Sequence, residues 1–219
     1  MNILDKIVAN TRSKLEDKKL KESLDDLLSK IDMDNLGKSI FKKSLEGKSE
    51  SIIAEIKKAS PSAGLISKDF NPVSKAKEYE SFGASALSIL TEEDYFQGDV
   101  QYLIDVKNAS NLPILRKDFI VDEYQIYESK LIGADCILLI ASILNDEELK
   151  IFSQIADKLL IVQPKVGKNQ LNKFVKNLEN EGVKHIYADP KTITDKEVFA
   201  RKEFLRNLSK QYSVTIESK

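Results

Sequence analysis

The sequence predicts an α/β fold of parallel strands alternating with helices, led by a helical extension. Three observations predict it. From Ser51 onward, short apolar runs alternate with amphipathic helical stretches, the pattern of βα units. The runs are almost continuously apolar, as strands covered on both faces are. A helix stop followed by a strand recurs at Phe82-Gly83-Ala84, Ile132-Gly133-Ala134 and Glu181-Gly182-Val183, with glycine as the left-handed terminator.

The first fifty residues read as helices. Ile3, Ile7, Val8, Thr11 and Leu15 recur at helical spacing and give one apolar stripe. Leu20 to Ile31 and Ser39 to Leu45 repeat the pattern more weakly. These segments are expected to cap whatever follows. The predicted strands are Ser51–Ile56, Ala86–Leu90, Pro113–Leu115, Cys136–Ile140, Leu159–Val162, His185–Ala188 and Val214–Glu217. Helices are expected to start near Pro72, Asp99, Asp122, Asn145, Lys168 and Asp195, several of them on an Asp or Asn N-cap. No linker or low-complexity tract breaks the series. The expected organisation is an extension over 1–50 and one α/β domain over 51–219.

Seven units are visible, and eight would close a (β/α)8 barrel. The expected fold is therefore a TIM-type barrel whose chain ends at the seventh strand. Two strand edges would then stay unpaired and invite self-association. An open doubly wound sheet is the competing architecture, but no glycine-rich phosphate fingerprint follows the first strand.

Composition narrows the function. The 219 residues are 42% hydrophobic and 32% charged with a net charge of −1, as in a globular protein with a sizeable core. Acids and bases are interspersed, which argues against nucleic-acid or membrane binding through bulk charge. The longest apolar runs, such as Ile137 to Ile143, are too short to span a bilayer. No secretory pattern opens the chain, so a cytoplasmic protein is expected. Cys136 is the single cysteine and His185 the single histidine. Internal disulfides, thiolate metal clusters, histidine triads and histidine zinc sites are thus not expected. Cys136 reads as a small buried residue and His185 as structural or solvent-facing.

The chemistry-bearing residues cluster at strand ends. Ile53-Ala-Glu-Ile-Lys-Lys-Ala-Ser-Pro-Ser62 begins as an apolar strand and then supplies Glu55, Lys57, Lys58, Ser60 and Ser62. Spacing of two puts Glu55 and Lys57 on one strand face, where a buried pair is costly unless paired or used. Ser-Pro-Ser is expected to stop the strand and offer hydroxyls, a design that suits an anionic small molecule. The second strand ends in Thr91, Glu92 and Glu93 with Tyr95 and Phe96 beyond, and the third in Arg116, Lys117, Asp118 and Phe119. Lys57 and Lys117 each follow an apolar strand and should project into a barrel mouth. Two ammonium groups close together and partly desolvated hold their protons less firmly, which suits a general acid or base. Two structural lysines bridged to Glu55 and Asp118 would satisfy the same spacing equally well.

Longer motifs go further. The segment Ile53–Ser62 resembles the first-strand signature of indole-3-glycerol phosphate synthases. Leu87-Ser-Ile-Leu-Thr-Glu-Glu-Asp-Tyr-Phe-Gln-Gly98, Pro113-Ile-Leu-Arg-Lys-Asp-Phe-Ile-Val-Asp-Glu-Tyr-Gln-Ile-Tyr127 and Gly133-Ala-Asp-Cys-Ile-Leu-Leu-Ile140 are similar to that family too. The resemblance covers residues 1 to about 150, extension included. It implies a carboxy-lyase of tryptophan biosynthesis, working without a cofactor or metal on a phosphorylated small molecule. The reaction closes the pyrrole ring of 1-(2-carboxyphenylamino)-1-deoxyribulose 5-phosphate with loss of carbon dioxide and water. The resemblance makes Lys117 the general acid toward the ribulose carbonyl oxygen. Glu55 and Lys57 orient the substrate, Lys57 and Ser60 contact its anionic groups, and Phe96, Phe119 and Leu138 wall the anthranilate ring.

The second half departs from the family. Val162-Gln163-Pro164-Lys165 stands where the family has Val-Glu-Val-His, so the catalytic glutamate position carries Gln163. An amide does not exchange a proton as a carboxylate does. Substrate-binding Asn and Arg positions carry Asp189 and Lys191, and Lys does not reproduce a bidentate guanidinium. Glu217 and Ser218 match the seventh-strand motif, whereas Lys219 replaces its glycine. The alternative function is accordingly a shortened, impaired or non-catalytic barrel relative that retains ligand or partner binding.

Overall fold

A computed structural model describes residues 2–34, 36, 40–46 and 51–159, together with the backbone of 161–165. The strands expected at His185–Ala188 and Val214–Glu217, the helices expected near Lys168 and Asp195, and Asp189, Lys191, Glu217 and Ser218 lie outside the described residues.

Three helices precede the sheet: α1 (Ile3–Lys21), α2 (Leu24–Ser29) and α3 (Phe41–Leu45). Asn2 and Ser23 close capping boxes with Asp5 and Asp26 at the starts of α1 and α2. This corrects the reading of one helix from Leu20 to Ile31. Leu20 belongs to α1 and is exposed, and the Ser23 cap begins a new helix. The apolar stripe of α1 is buried at Ile7 and Leu15, while Ile3 in its first turn stays exposed. Leu15 packs with Leu27 and Tyr124.

The strands and helices that follow are β1 (Ile53–Ile56), β2 (Ala59–Ser60), β3 (Gly64–Leu65), α4 (Pro72–Ser81), β4 (Ala86–Leu90), α5 (Val100–Ala109), β5 (Ile114–Lys117), α6 (Glu123–Leu131), β6 (Cys136–Ile140), α7 (Asp146–Leu159) and β7 (Ile161–Lys165). Asn71, Asp99 and Asp122 cap α4, α5 and α6 as expected. Asn145 and Glu148 exchange capping bonds of 2.8 Å at the start of α7. Gly83 and Gly133, with φ of 83° and 91°, make the left-handed turns into β4 and β6.

Among the described residues the main sheet is parallel, in the order β1-β4-β5-β6-β7. The order never reverses, unlike that of a doubly wound sheet. One face carries all four crossover helices. Ile56, Leu87, Ile89 and Ile114 pack with Ala76, Leu103 and Val106, and Ile137 and Leu139 pack with Ile126, Leu149 and Phe152. The opposite, inner face carries Ile53, Ala86, Leu115, Cys136, Leu138 and Ile140, with Phe41 and Leu45 of α3 packed on it. Period-two alternation thus splits β1, β4, β5 and β6 between an outer helix layer and an inner core.

Three local expectations change. Lys117 is the last residue of β5, which runs two residues beyond the predicted strand end at Leu115. The predicted strand from Leu159 to Val162 starts two residues later, because the α7 stripe of Leu149, Phe152, Ala156 and Leu159 extends helix burial to Leu159. β1 stops at Ile56, ahead of the Ser60-Pro61-Ser62 expected to stop it. Ala59–Ser60 pairs antiparallel with Gly64–Leu65, and Gly64 turns with φ of 64°.

Candidate active site

The carboxyl ends of β1 and β5 bring three charges together. Glu55 lies on β1 on the same face as Ile53, Lys57 lies just beyond the strand end, and Lys117 closes β5. Glu55 shares its carboxylate. Oε1 accepts from Lys57 Nζ, and Oε2 lies 3.5 Å from Lys117 Nζ. All three side chains are about one quarter exposed, so they are shielded yet reachable from solvent. Between β1 and β5 runs β4, whose Ser88 stands opposite both Glu55 and Leu115.

The structural bridge to Asp118 is not formed. Asp118 instead accepts from Arg116 Nη2 at 2.9 Å and from Thr91 Oγ1 at 2.6 Å. Neighbouring strand residues face opposite ways, so Arg116 leaves the inner face as Lys117 enters it. Arg116 is fully buried, and its Nη1 also donates to Glu128 at 2.7 Å and to Ser129 Oγ at 3.1 Å. The second oxygen of Glu128 accepts from Lys18 of α1. This network was not singled out in the sequence, where Arg116 reads as one more polar strand-end residue.

The loops after β4 and β5 bring two aromatic rings together. The Phe96 and Phe119 rings sit 6.1 Å apart with 39° between their planes. Phe119 packs against the inner-face cluster that contains the buried Leu138. Gln163 stands opposite Leu138 in the β6–β7 register, one residue beyond the predicted strand end at Val162. Ser60 lies in the ribbon after β1, where its hydroxyl accepts from Ala63 N at 3.2 Å. Cys136 is buried on the inner face, where desolvation pushes its thiol well up and keeps it un-ionised.

The loop after β4 positions Phe96. The buried Glu92 carboxylate accepts from the backbone N–H groups of Asp94, Tyr95 and Phe96 at 3.2, 2.8 and 3.0 Å. Desolvation raises its pKa, although the three donors oppose that. Gly98 N donates to Glu92 O at 2.7 Å. A Cβ at Gly98 would stand 2.5 Å from Leu90 O and 2.7 Å from Glu92 O, so the close approach requires glycine. Phe96 O in turn accepts from Ala59 N of the β1 loop at 3.2 Å. In the sequence Glu92 reads only as one of the polar residues ending the second strand, with no role assigned. The available signal was an acid two residues past the strand, followed by a glycine six residues on.

Helix α1 is tied to the same edge. Lys14 pairs with Glu93 and Asp94 at 2.9 and 2.6 Å, Arg12 donates to Val121 O at 3.2 Å, and Lys19 pairs with Asp122 at 2.7 Å. Among the described residues, no helix is long and apolar enough to cross a membrane.

Comparison with known proteins gives the chain a family. The family described as Indole-3-glycerol phosphate synthase matches residues 4–164. The protein named indole-3-glycerol phosphate synthase in Clostridium acetobutylicum is 55% identical over 145 residues, covering 66% of this chain and 55% of that relative. One in Prochlorococcus marinus strain MIT 9215 is 42% identical over 201 residues, covering 87% of this chain and 68% of the relative. The chain thus spans between about half and two thirds of the length of these curated relatives. Among solved structures, a dihydropteroate synthetase superposes with a TM-score of 0.51 at 14% identity, covering 76% of this chain and 72% of that one. That likeness is one of fold alone.

Proposed function

Because the chain belongs to the indole-3-glycerol phosphate synthase family, we propose that its sheet is part of a (β/α)8-type barrel and that its site closes the indole ring. The substrate is 1-(2-carboxyphenylamino)-1-deoxyribulose 5-phosphate. Its aromatic carbon bearing the carboxylate attacks the ribulose carbonyl carbon, and the carbonyl oxygen takes a proton. The electron pair of the bond to the departing carbon dioxide restores the aromatic ring. The new hydroxyl then leaves as water while the neighbouring methylene carbon gives up a proton, which completes the pyrrole.

One observation carries this reading. Glu55 holds Lys57 on one oxygen and faces Lys117 with the other, and the loops after β4 and β5 bring Phe96 and Phe119 together. Lys117 is then the acid toward the carbonyl oxygen, since a charged donor in hydrogen-bond reach is what that step needs. Glu55 orients both ammonium groups. Lys57 and Ser60, on the same loop, suit the substrate's anionic groups. Phe96, Phe119 and Leu138 hold the anthranilate ring over the ribulose chain, which turns bond formation into a proximity problem. A non-catalytic barrel relative draws no support from the described residues, where this set is assembled.

The test is indole fluorescence on mixing the full chain with substrate under single-turnover conditions. Formation of indole-glycerol phosphate is expected. Tight binding of the substrate with no product would leave the ring-closing reading without support.

A further inference from the structure

Glu92 has no place in the chemistry above, yet its carboxylate takes three backbone hydrogen bonds from one loop beside the β1 loop. Its side chain is buried and accepts from the backbone of Asp94, Tyr95 and Phe96. A carboxylate taken out of water is costly unless its lone pairs are filled, and here a single loop fills them. The loop closes on itself through Gly98 N to Glu92 O. Two consequences reach the site. The Phe96 ring is brought to 6.1 Å from Phe119. Phe96 O is also set to accept from Ala59 N at 3.2 Å, so the loop after β4 is stitched to the loop bearing Lys57 and Ser60.

We infer that Glu92 is a positioning residue, whose buried carboxylate gathers the loop after β4 so that Phe96 stands against Phe119 and the β1 loop is held in register with it. It touches no substrate atom and acts through Phe96 and Ala59. Other elements do not replace it. The α1 contacts to Glu93 and Asp94 are exposed ion pairs, which hold the loop's outer side and are individually weak. The inference rests on reading Phe96 as part of the wall around the aromatic ring.

Two measurements on the full chain test it. The first needs no ligand: amide hydrogen exchange of wild type, Glu92→Gln and Glu92→Asp. Glu92→Gln keeps the size but turns one oxygen into a donor facing backbone N–H groups. Glu92→Asp keeps the charge on a shorter arm and serves should the first variant fail to fold. Faster exchange is expected at Tyr95, Phe96 and Ala59, with the β4 and β5 amides unchanged. An unchanged Ala59 amide would overturn the link between the loops.

The second is a binding cycle by calorimetry. The probe is the substrate with its ribulose carbonyl reduced to an alcohol, which cannot close the ring. Glu92→Gln and Phe96→Ala should each weaken binding about tenfold, on the order of one well-placed aromatic contact. The double variant should lose clearly less than the sum of the two single losses, since effects that run partly through one group are not additive. Additive losses would show that Glu92 acts elsewhere and sink the inference. Failure of the wild type to bind the probe would instead strike at the reading of the site, and the exchange measurement would still decide the role of Glu92 in the loop.

Discussion

Lys117 Nζ lies 3.5 Å from Glu55 Oε2, although the two residues sit on strands separated in the sheet by β4. The contact spans the inner face at the carboxyl edge, where the sheet brings residues 62 positions apart within reach. The proposed acid is therefore oriented by a carboxylate that the nearer Lys57 also uses.

Lys117→Ala is expected to lower the single-turnover rate by about a hundredfold or more, the usual range for loss of a general acid. Glu55→Gln should also slow turnover, and the two losses should not add, because one group orients the other. Stopped-flow fluorescence of the four proteins of this cycle measures it. Unchanged turnover in Lys117→Ala would remove that residue from the mechanism.

Gln163 is expected to limit the dehydration step. It stands opposite Leu138 in the β6–β7 register, and the sequence resemblance assigns it the position of the family's glutamate. Gln163→Glu restores a group able to exchange a proton and changes little else in shape. Turnover should rise with nearly constant affinity for the reduced substrate analogue. A rate equal to or below that of wild type would assign the proton transfer to another group.

Arg116 is expected to matter for stability more than for chemistry. It is fully buried, and removing it takes the buried cation from both Asp118 and Glu128. Breaking a buried pair by deleting one partner costs roughly 3–5 kcal/mol. Arg116→Met should lower the denaturant midpoint accordingly. Lys18→Met, which deletes only the half-exposed partner of Glu128, should cost under about 1 kcal/mol. Similar losses in the two variants would contradict the assignment of the burden to Arg116.

The same network sets an acid limit. Burial alone would raise Glu128, but Arg116 and Lys18 outweigh it and hold its carboxyl below the ordinary 4.5. A lowered folded value means that the unfolded chain binds protons first as pH falls. The stability contributed by Glu128 is thus complete above the ordinary value and drains as pH drops through the folded one. Glu92 works in the opposite sense. Burial raises it, so its ionised form costs stability as pH climbs from 4.5 to its folded value. Urea midpoints from about pH 6 down to about pH 3 should fall less steeply in Glu128→Gln than in wild type. An equal slope in both proteins would place the acid-sensitive group elsewhere.

Much of this arrangement is legible in the residues themselves. Ala86–Leu90 and Cys136–Ile140 have the predicted bounds because both are apolar runs, broken only by Ser88, that follow a glycine turn. Asn71, Asp99 and Asp122 mark helix starts because a cap bonds only to N–H groups two or three residues on. Glu55, Lys57 and Lys117 stand out for a related reason, since polar residues at the end of an apolar strand are local anomalies.

Tertiary structure alone decided which charges meet. Asp118 is two residues from Arg116 and one from Lys117, and nothing local states that it pairs with the first. That choice follows from strand alternation together with the helix layer, which brings Glu128 and Ser129 of α6 to the outer face. The sharing of Glu55 between two lysines depends on β4 lying between β1 and β5. The loop gathered by Glu92 depends on burial that only the surrounding chain creates. The sequence determined the elements, their caps and the set of reactive side chains, since these depend on residues a few positions apart. Pairing and orientation across strands depend on neighbours tens of residues away, and packing of the whole sheet selects among them.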